Sequence, residues 1–267
     1  MKKNISYLSI SAMAFLLSFA SCKKDKDSVV EPVNPCKVAE VKGANDQVLS
    51  LSEYNAEGKI TKVTNSATNE YTVYDYDSAY VRAYTHAADG TLKGTSKIEV
   101  NSSGYVAKSF NTSIGNTTIT YDSVYYQYNS DGYLIREIVY TYIFDKNGEV
   151  LSKDAYITTY DISGGNVLQS TYTKVGEVTF PEITRYEYDT SVENWSGISI
   201  SGSSASPIPT GKRTKNPVTK ITSGLGTSTE ELSYSYDDQG NVTEVKITKT
   251  TPAGTTESTS KISYTCQ

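Results

Sequence analysis

The sequence predicts an all-β fold: an antiparallel meander of roughly 12 to 16 long strands, forming a water-soluble barrel or a strongly curved sheet. Three observations predict it. A turn motif of Asp or Asn followed by glycine recurs along the chain. The spacing of those glycines leaves strand-length segments between the turns. Tyr, Thr, Val and Ile, which fit a pleated and half-buried surface, dominate after the first twenty residues, while Leu and Ala are scarce there. Only 37% of the 267 residues are hydrophobic, and 23 Tyr against 5 Phe make the aromatic content mostly amphipathic.

The motif is clearest as Tyr234-x-Tyr236-Asp237-x-x-Gly240-x-Val242. It returns as Tyr126-x-Tyr128-Asn129-x-x-Gly132-x-Leu134 and as Tyr142-x-Phe144-Asp145-x-x-Gly148-x-Val150. Looser copies stand at Tyr54 to Ile60, Tyr84 to Leu92, Val100 to Val106 and Tyr160 to Gly164. Asp or Asn at the first turn position accepts hydrogen bonds from backbone amides ahead of it. Gly at the fourth takes the left-handed conformation that a type I turn with a bulge requires. Each copy is therefore one hairpin corner. The glycines lie mostly 14 to 17 positions apart, which leaves about ten to twelve residues per strand. Further turns are expected at Thr68-Asn69, Gly115-Asn116, Gly176-Glu177, Gly224 to Gly226 and Ala253-Gly254. The echo between Tyr76-Asp77-Ser78-Ala79-Tyr80 and Tyr121-Asp122-Ser123-Val124-Tyr125 suggests, in both, one long strand with a central bulge.

Alternation argues against a lipid-facing belt. From Tyr133 to Phe144 one face holds Glu137 and the other Arg136, both read as mid-strand; from Asn241 to Thr250 one face holds Lys249 and the other Glu244 and Lys246. A membrane barrel needs an uncharged apolar face on every strand.

The first residues form an address. Lys2 and Lys3 precede an apolar run from Ile5 to Ala20, which at about sixteen residues matches a secretory signal and is short for a bilayer span. Its end, Phe19-Ala20-Ser21-Cys22, resembles a bacterial lipobox, with Cys22 as the acylated first residue of the mature protein. Lys23 to Pro35 is charged and then proline-bearing, a flexible tether reaching on the order of 40 Å. The expected organisation is residues 1–21 signal peptide, 22–35 lipidated cysteine and tether, and 36–267 one all-β domain. In an oxidising compartment the remaining Cys36 and Cys266 are expected to form a disulfide fastening the first strand to the last.

The formal charge of -5, with 25 Lys+Arg against 30 Asp+Glu, and the lack of a basic cluster argue against a nucleic-acid partner. A single histidine, His86, removes multi-histidine metal centres and most catalytic constellations. No full oxygen-ligand loop for calcium is visible, so neither a metal nor another cofactor is expected. No catalytic residue stands out.

From Thr190 to Pro217 the alternation fails, giving a long irregular loop of the kind that carries function. Trp195, with Asn194 beside it, is the candidate ligand-binding pair, an indole for a sugar face with an amide for its hydroxyls. Trp195 as a core aromatic plugging the barrel is the plainer alternative.

The start Cys22-Lys23-Lys24-Asp25 is similar to lipoproteins of the Bacteroidetes outer membrane. The turn motif resembles tyrosine-aspartate repeats of Rhs-type shell proteins, although the arginine those carry after the turn glycine is replaced by Lys59, Tyr105, Tyr133, Glu149 or Asn241. With Asn216-Pro217-Val218-Thr219-Lys220-Ile221, the chain more specifically resembles a Bacteroidetes lipoprotein family of unknown function with a porin-like β fold. That resemblance implies the fold and no activity. Asp27-Ser28-Val29, Asp77-Ser78-Ala79 and Asp122-Ser123-Val124 resemble acceptor motifs for O-linked glycans in exported proteins of that phylum, which implies glycosylation at Ser28, Ser78 and Ser123. The leading expectation is a monomeric outer membrane lipoprotein on the periplasmic or cell-surface face. Held to the membrane only by its lipid, it would bind an extended ligand such as a glycan without catalysis. The alternative is a structural or assembly protein engaging another envelope protein; a hydrolase comes third.

Overall fold

The computed structural model describes residues 36–177, 181–193, 208–212 and 214–266. The chain divides into two units, Met1–Val33 and Asn34–Gln267, and every described residue belongs to the second. Sixteen strands follow one another there. They are β1 Cys36–Gly43, β2 Val48–Tyr54, β3 Ile60–Asn65, β4 Tyr71–Tyr76, β5 Tyr80–His86, β6 Leu92–Val100, β7 Val106–Ile114 and β8 Thr118–Tyr128. The second half contains β9 Leu134–Asp145, β10 Val150–Ser163, β11 Asn166–Lys174, β12 Glu182–Tyr188, β13 Val218–Ser223, β14 Ser228–Tyr236, β15 Val242–Thr251 and β16 Gly254–Cys266. Each pairs antiparallel with the next, and β16 pairs with β1, so the meander closes into a barrel. Cys36 and Cys266 are directly opposite and joined by a disulfide.

The corners are built as their sequence dictates. At Asn55, Asn101, Asn129, Asp145 and Asp237 the backbone amide donates to the carbonyl four residues on, and the turn glycine donates back. The side-chain Oδ1 meanwhile accepts from the amide four residues ahead, as Lys59 N to Asn55 at 2.8 Å and Tyr133 N to Asn129 at 2.9 Å. Gly58, Gly104, Gly132, Gly148 and Gly240 take φ between 73° and 88°, a conformation a side chain resists. Each of these five corners shifts the ladder register by a bulge.

Two readings need correction. Tyr76 to Tyr80 is no strand: Asp77 to Ala79 is the turn between β4 and β5, closed by Asp77 N to Tyr80 O at 3.0 Å and by the Asp77 carboxylate on the Ser78 amide. Its counterpart at Tyr121 to Tyr125 lies inside β8 without a bulge, because Val124 is buried against Ser109 and Val139 where Ala79 is exposed. Tyr160 to Gly164 is also not a copy of the motif. Asp161 belongs to β10, and Gly164 and Gly165, at φ 58° and 84°, form a two-residue turn between Ser163 and Asn166.

Buried side chains all fall on one face of the ladder, the inner one, and gather toward the end that carries the disulfide. Val242, Val245 and Ile262 form a cluster there, with Val38, Tyr234 and Tyr264 against it. None of the described large side chains is fully buried, as a barrel this wide keeps opposite walls apart. Toward the other end the inner wall is charged: Lys174 pairs with Asp154 at 2.9 Å and Glu177 at 2.5 Å, and Lys249 with Glu230 at 2.6 Å.

A row of tyrosines closes the disulfide end. Between two neighbouring hairpin corners the strands part before their ends, and a tyrosine fills the seam. Its hydroxyl donates to the backbone carbonyl of the adjacent strand: Tyr54 to Val38, Tyr76 to Ile60, Tyr188 to Val167, Tyr234 to Val218 and Tyr264 to Val242 at 2.7–2.8 Å, and Tyr128 to Val106. In all six the tyrosine stands three residues past the last ladder pair, for instance Val73 opposite Lys62 before Tyr76, and Tyr125 opposite Lys108 before Tyr128. Between β5 and β6 the ladder runs to Tyr80, the first residue of β5, and no seam opens.

The outward face is uneven. On β15 and β16 it carries Glu244, Lys246, Glu257 and Lys261 among threonines and serines, as the alternation predicts. Across β7 to β10 it is different. One transverse row is Phe110, Ser123, Tyr140 and Ala155, and the next is Thr112, Tyr121, Tyr142 and Lys153. Flanking rows are Lys108, Tyr125, Ile138 and Ile157 on one side and Ile114, Ile119, Phe144 and Val150 on the other. The outward charge of β9 is Arg136, near the start of the strand rather than at its middle.

Candidate functional site

The long connection from β12 to β13 carries the site. It leaves the described chain at Glu193 and returns at Ile208. Trp195 and Asn194 fall between, outside the described residues, as do Cys22 and Ser28. No strand forms in its described parts. The returning segment runs along three corners at the disulfide end. Val106 N donates to Pro209 O at 3.1 Å, Lys212 N to Gly132 O at 2.9 Å and Lys215 N to Gly165 O at 2.9 Å. Gly211 is buried with φ 111°, and a Cβ there would stand 2.9 Å from the Tyr128 ring and 3.1 Å from Gly132 O. Only glycine allows so close an approach.

Asn216 locks the end of the connection. Its Oδ1 accepts from Asn166 Nδ2 at 2.9 Å, its amide donates to Asn166 Oδ1 at 3.0 Å, and its Nδ2 reaches Val192 O at 2.6 Å. Both asparagines are buried, 5% and 7% exposed, so their amides are satisfied by each other and by backbone rather than by water.

Beside this lock lies a pocket of about 470 Å³, lined among others by Asn166, Leu168, Tyr186, Glu187, Lys215 and Asn216. Leu168 is 48% exposed. Around it stand amides, the phenols of Tyr186 and Tyr188, an ammonium and a single described carboxylate, Glu187, which lies 3.9 Å from Lys220. One carboxylate does not supply the pair that glycoside hydrolysis uses. An apolar floor ringed by donors and acceptors suits a polyhydroxylated ligand.

Tyr186 leads from the pocket into the barrel. Its hydroxyl lies 3.1 Å from Ser170 Oγ; Ser170 is opposite Tyr160 in the ladder, and Glu137 is opposite Tyr126 on one side and Thr158 on the other. The inner wall of β7 to β12 thus presents a belt of hydroxyls around one carboxyl. Burial pushes the Glu137 carboxyl above its ordinary range. Burial, and then the charge of Glu137, raise the Tyr160 phenol, while Tyr126 is raised by burial against a lowering bond with Ser109. Nothing in the sequence marked this belt, because its members come from six strands and only the register brings them together.

Of the glycan-acceptor serines, Ser78 is exposed on the β4–β5 turn, its Oγ 3.1 Å from Asp77 Oδ1. Ser123 is half-buried in mid-strand between Phe110 and Tyr140. His86 stacks on Tyr71 at 5.1 Å, its Nδ1 3.0 Å from Gly90 O. Among the described residues no group of three His, Cys, Asp or Glu could hold a metal ion.

No family model matches the chain, and no curated protein matches it. Among solved structures it is similar to a porin-like protein from Bacteroides uniformis ATCC 8492, with 17% identity, 88% of this chain and 98% of that one covered and a TM-score of 0.54. It is also similar to a porin-like protein from Bacteroides vulgatus ATCC 8482, with 14% identity, coverages of 86% and 99% and a TM-score of 0.58. A part of the TcdB2-TccC3-Cdc42 complex covers 77% of the chain at a TM-score of only 0.20, and the link to Rhs-type repeats gains nothing from it. The chain shares the porin-like β fold of the two Bacteroides proteins.

Proposed function

We propose that this chain is a lipid-anchored envelope protein that binds an extended, hydroxyl-rich ligand, a glycan, without catalysis. The pocket beside the Asn166–Asn216 lock carries the reading: it joins an exposed leucine and a tyrosine to amides and an ammonium, and the connection that forms one wall contains Trp195. The anchor is read from the lipobox-like Phe19-Ala20-Ser21-Cys22, which implies acylation of Cys22 and an outer membrane location.

The test is a glycan array probed with the full chain and with Trp195→Ala, Leu168→Ala and Lys215→Ala variants. Binding that falls at least tenfold in Trp195→Ala or Leu168→Ala while the far-ultraviolet spectrum is unchanged supports the pocket. Binding indifferent to all three variants, or turnover of any bound glycan, overturns the reading.

A further inference from the structure

The outward face of β7 to β10 stands apart from the rest of the barrel. Its four rows of four hold twelve apolar or aromatic residues, two lysines, a serine, a threonine and no carboxylate. With strands about 4.8 Å apart and rows about 6.8 Å apart, the patch covers on the order of 500 Å². That is comparable to the largest patch on a typical monomer, which is often functional. Phe110, Tyr121 and Tyr140 are 38%, 44% and 41% exposed. Tyr121 packs edge to face on Phe144 at 5.5 Å and Tyr140 on Tyr125 at 6.0 Å.

The cations are placed with the rings. Lys108 Nζ lies 5.6 Å over the Tyr125 ring and Lys153 Nζ 5.4 Å over the Tyr142 ring, and among the described residues neither meets a carboxylate within salt-bridge distance. Arg136, just beyond the patch, has its Nε out of solvent with no described partner. Several outward lysines elsewhere are paired, Lys62 with Glu53, Lys220 with Glu187 and Lys246 with Glu244, while Lys37 on β1 lies over the Tyr54 ring with no described carboxylate within salt-bridge distance. In an acidic chain, the most apolar flank thus carries two cations without an ion-pair partner among the described residues; Glu99, opposite Lys108 in the ladder, is bonded to Lys97. A second copy of this face would bring the same lysines and no acid. Phenol rings, aliphatic side chains and flanking lysines are what an anionic bilayer surface accommodates, the rings at headgroup level and the ammonium groups on phosphates.

We propose that the outward face of β7 to β10 lies on the surface of an anionic lipid bilayer. The inference rests in part on the lipid-anchor reading, which holds the barrel beside a bilayer, where a surface-borne signal adds to the lipid.

The test uses the full-length protein purified from its membrane, with Ser123→Cys or, on the opposite flank, Ser233→Cys labelled with an environment-sensitive dye. The protein is placed on vesicles of equal parts phosphatidylglycerol and phosphatidylcholine carrying a brominated lipid. Lipid quenching at position 123 is expected to be at least threefold that at 233, and to fall to the level of 233 on pure phosphatidylcholine. Without the acyl chain, in protein made from Lys23 onward and so lacking the apolar run, sedimentation with the anionic vesicles should persist and weaken roughly fivefold for each of Lys108→Ala and Lys153→Ala. Equal quenching at the two positions overturns the proposal. So does a position 123 shielded from both lipid and aqueous iodide, which would point to a protein partner. A missing acyl mass would sink the anchor reading alone, because the arm that starts at Lys23 reads the face by itself.

Discussion

Replacing the six seam tyrosines, Tyr54, Tyr76, Tyr128, Tyr188, Tyr234 and Tyr264, by phenylalanine keeps the rings and removes six hydroxyl-to-carbonyl bonds. A protein hydrogen bond contributes about 1 kcal/mol net, and more where the abandoned carbonyl stays dry. Neighbouring seams are two strands, or about 10 Å, apart at the closest, so the losses should add. Each single variant should then lose about 1 kcal/mol and the sixfold variant about 6 kcal/mol, comparable to the whole stability of an ordinary domain. Urea unfolding followed by circular dichroism measures it. Alkali gives a second reading of the same side chains. Burial, first among the causes, lifts the Tyr76, Tyr234 and Tyr264 phenols to about 12, against about 10 in the unfolded chain. The unfolded chain therefore ionises first. The stabilisation is complete below pH 10 and is lost as the pH climbs from 10 through 12, and the phenylalanine variants should lack that loss. A sixfold variant within 1 kcal/mol of wild type, or one with the same alkaline midpoint, would refute the view that the seams are held by these hydroxyls.

Three further outcomes are expected. Glu137 is raised by burial, so it destabilises the fold once ionised: Glu137→Gln should raise stability by about 1 kcal/mol at pH 7, with the gain vanishing below pH 4, as thermal melts across that range would show. Gly211→Ala forces a side chain into left-handed backbone against Tyr128 and Gly132. It should cost about 1–3 kcal/mol and speed amide exchange at Val106 and Lys212, whose bonds tie the connection to the barrel. Reducing Cys36–Cys266 should lower the unfolding free energy measured in urea, by at most about 5 kcal/mol for a loop of that length, and leave the strand-rich circular dichroism spectrum unchanged before the transition.

What the sequence made legible was local chemistry. Asn55, Asn129 and Asp237 announce their corners because the bonds that make each corner lie within five residues. The Asp77 turn has no glycine to announce it, and its Tyr-Asp-Ser-small echo in β8 pointed the wrong way. Inside and outside were harder. Each bulge resets the alternation, and serine and threonine occur on both faces, so a parity carried along the chain is lost at nearly every corner. The Glu137 belt and the outward rows of β7 to β10 depend on that parity across several strands. Only the pairing register reveals them, and the same holds for the charge of β9. The irregular segment was legible as a failure of alternation, and its described parts bear no strand; the corners it crosses were invisible, since Gly132, Gly165 and Val106 are far from it in sequence.

The position of the disulfide also changes what the ends of the domain mean. Seven connections turn the chain at that end of the barrel and eight at the other, and Cys36–Cys266 stands where the missing eighth would be, between β16 and β1. Covalently, the domain is a ring of eight hairpins, closed by the disulfide. Any opening of that ring at another corner leaves the same sixteen-strand cycle of pairings. The point between β16 and β1 is then one of eight places where this ring can be cut.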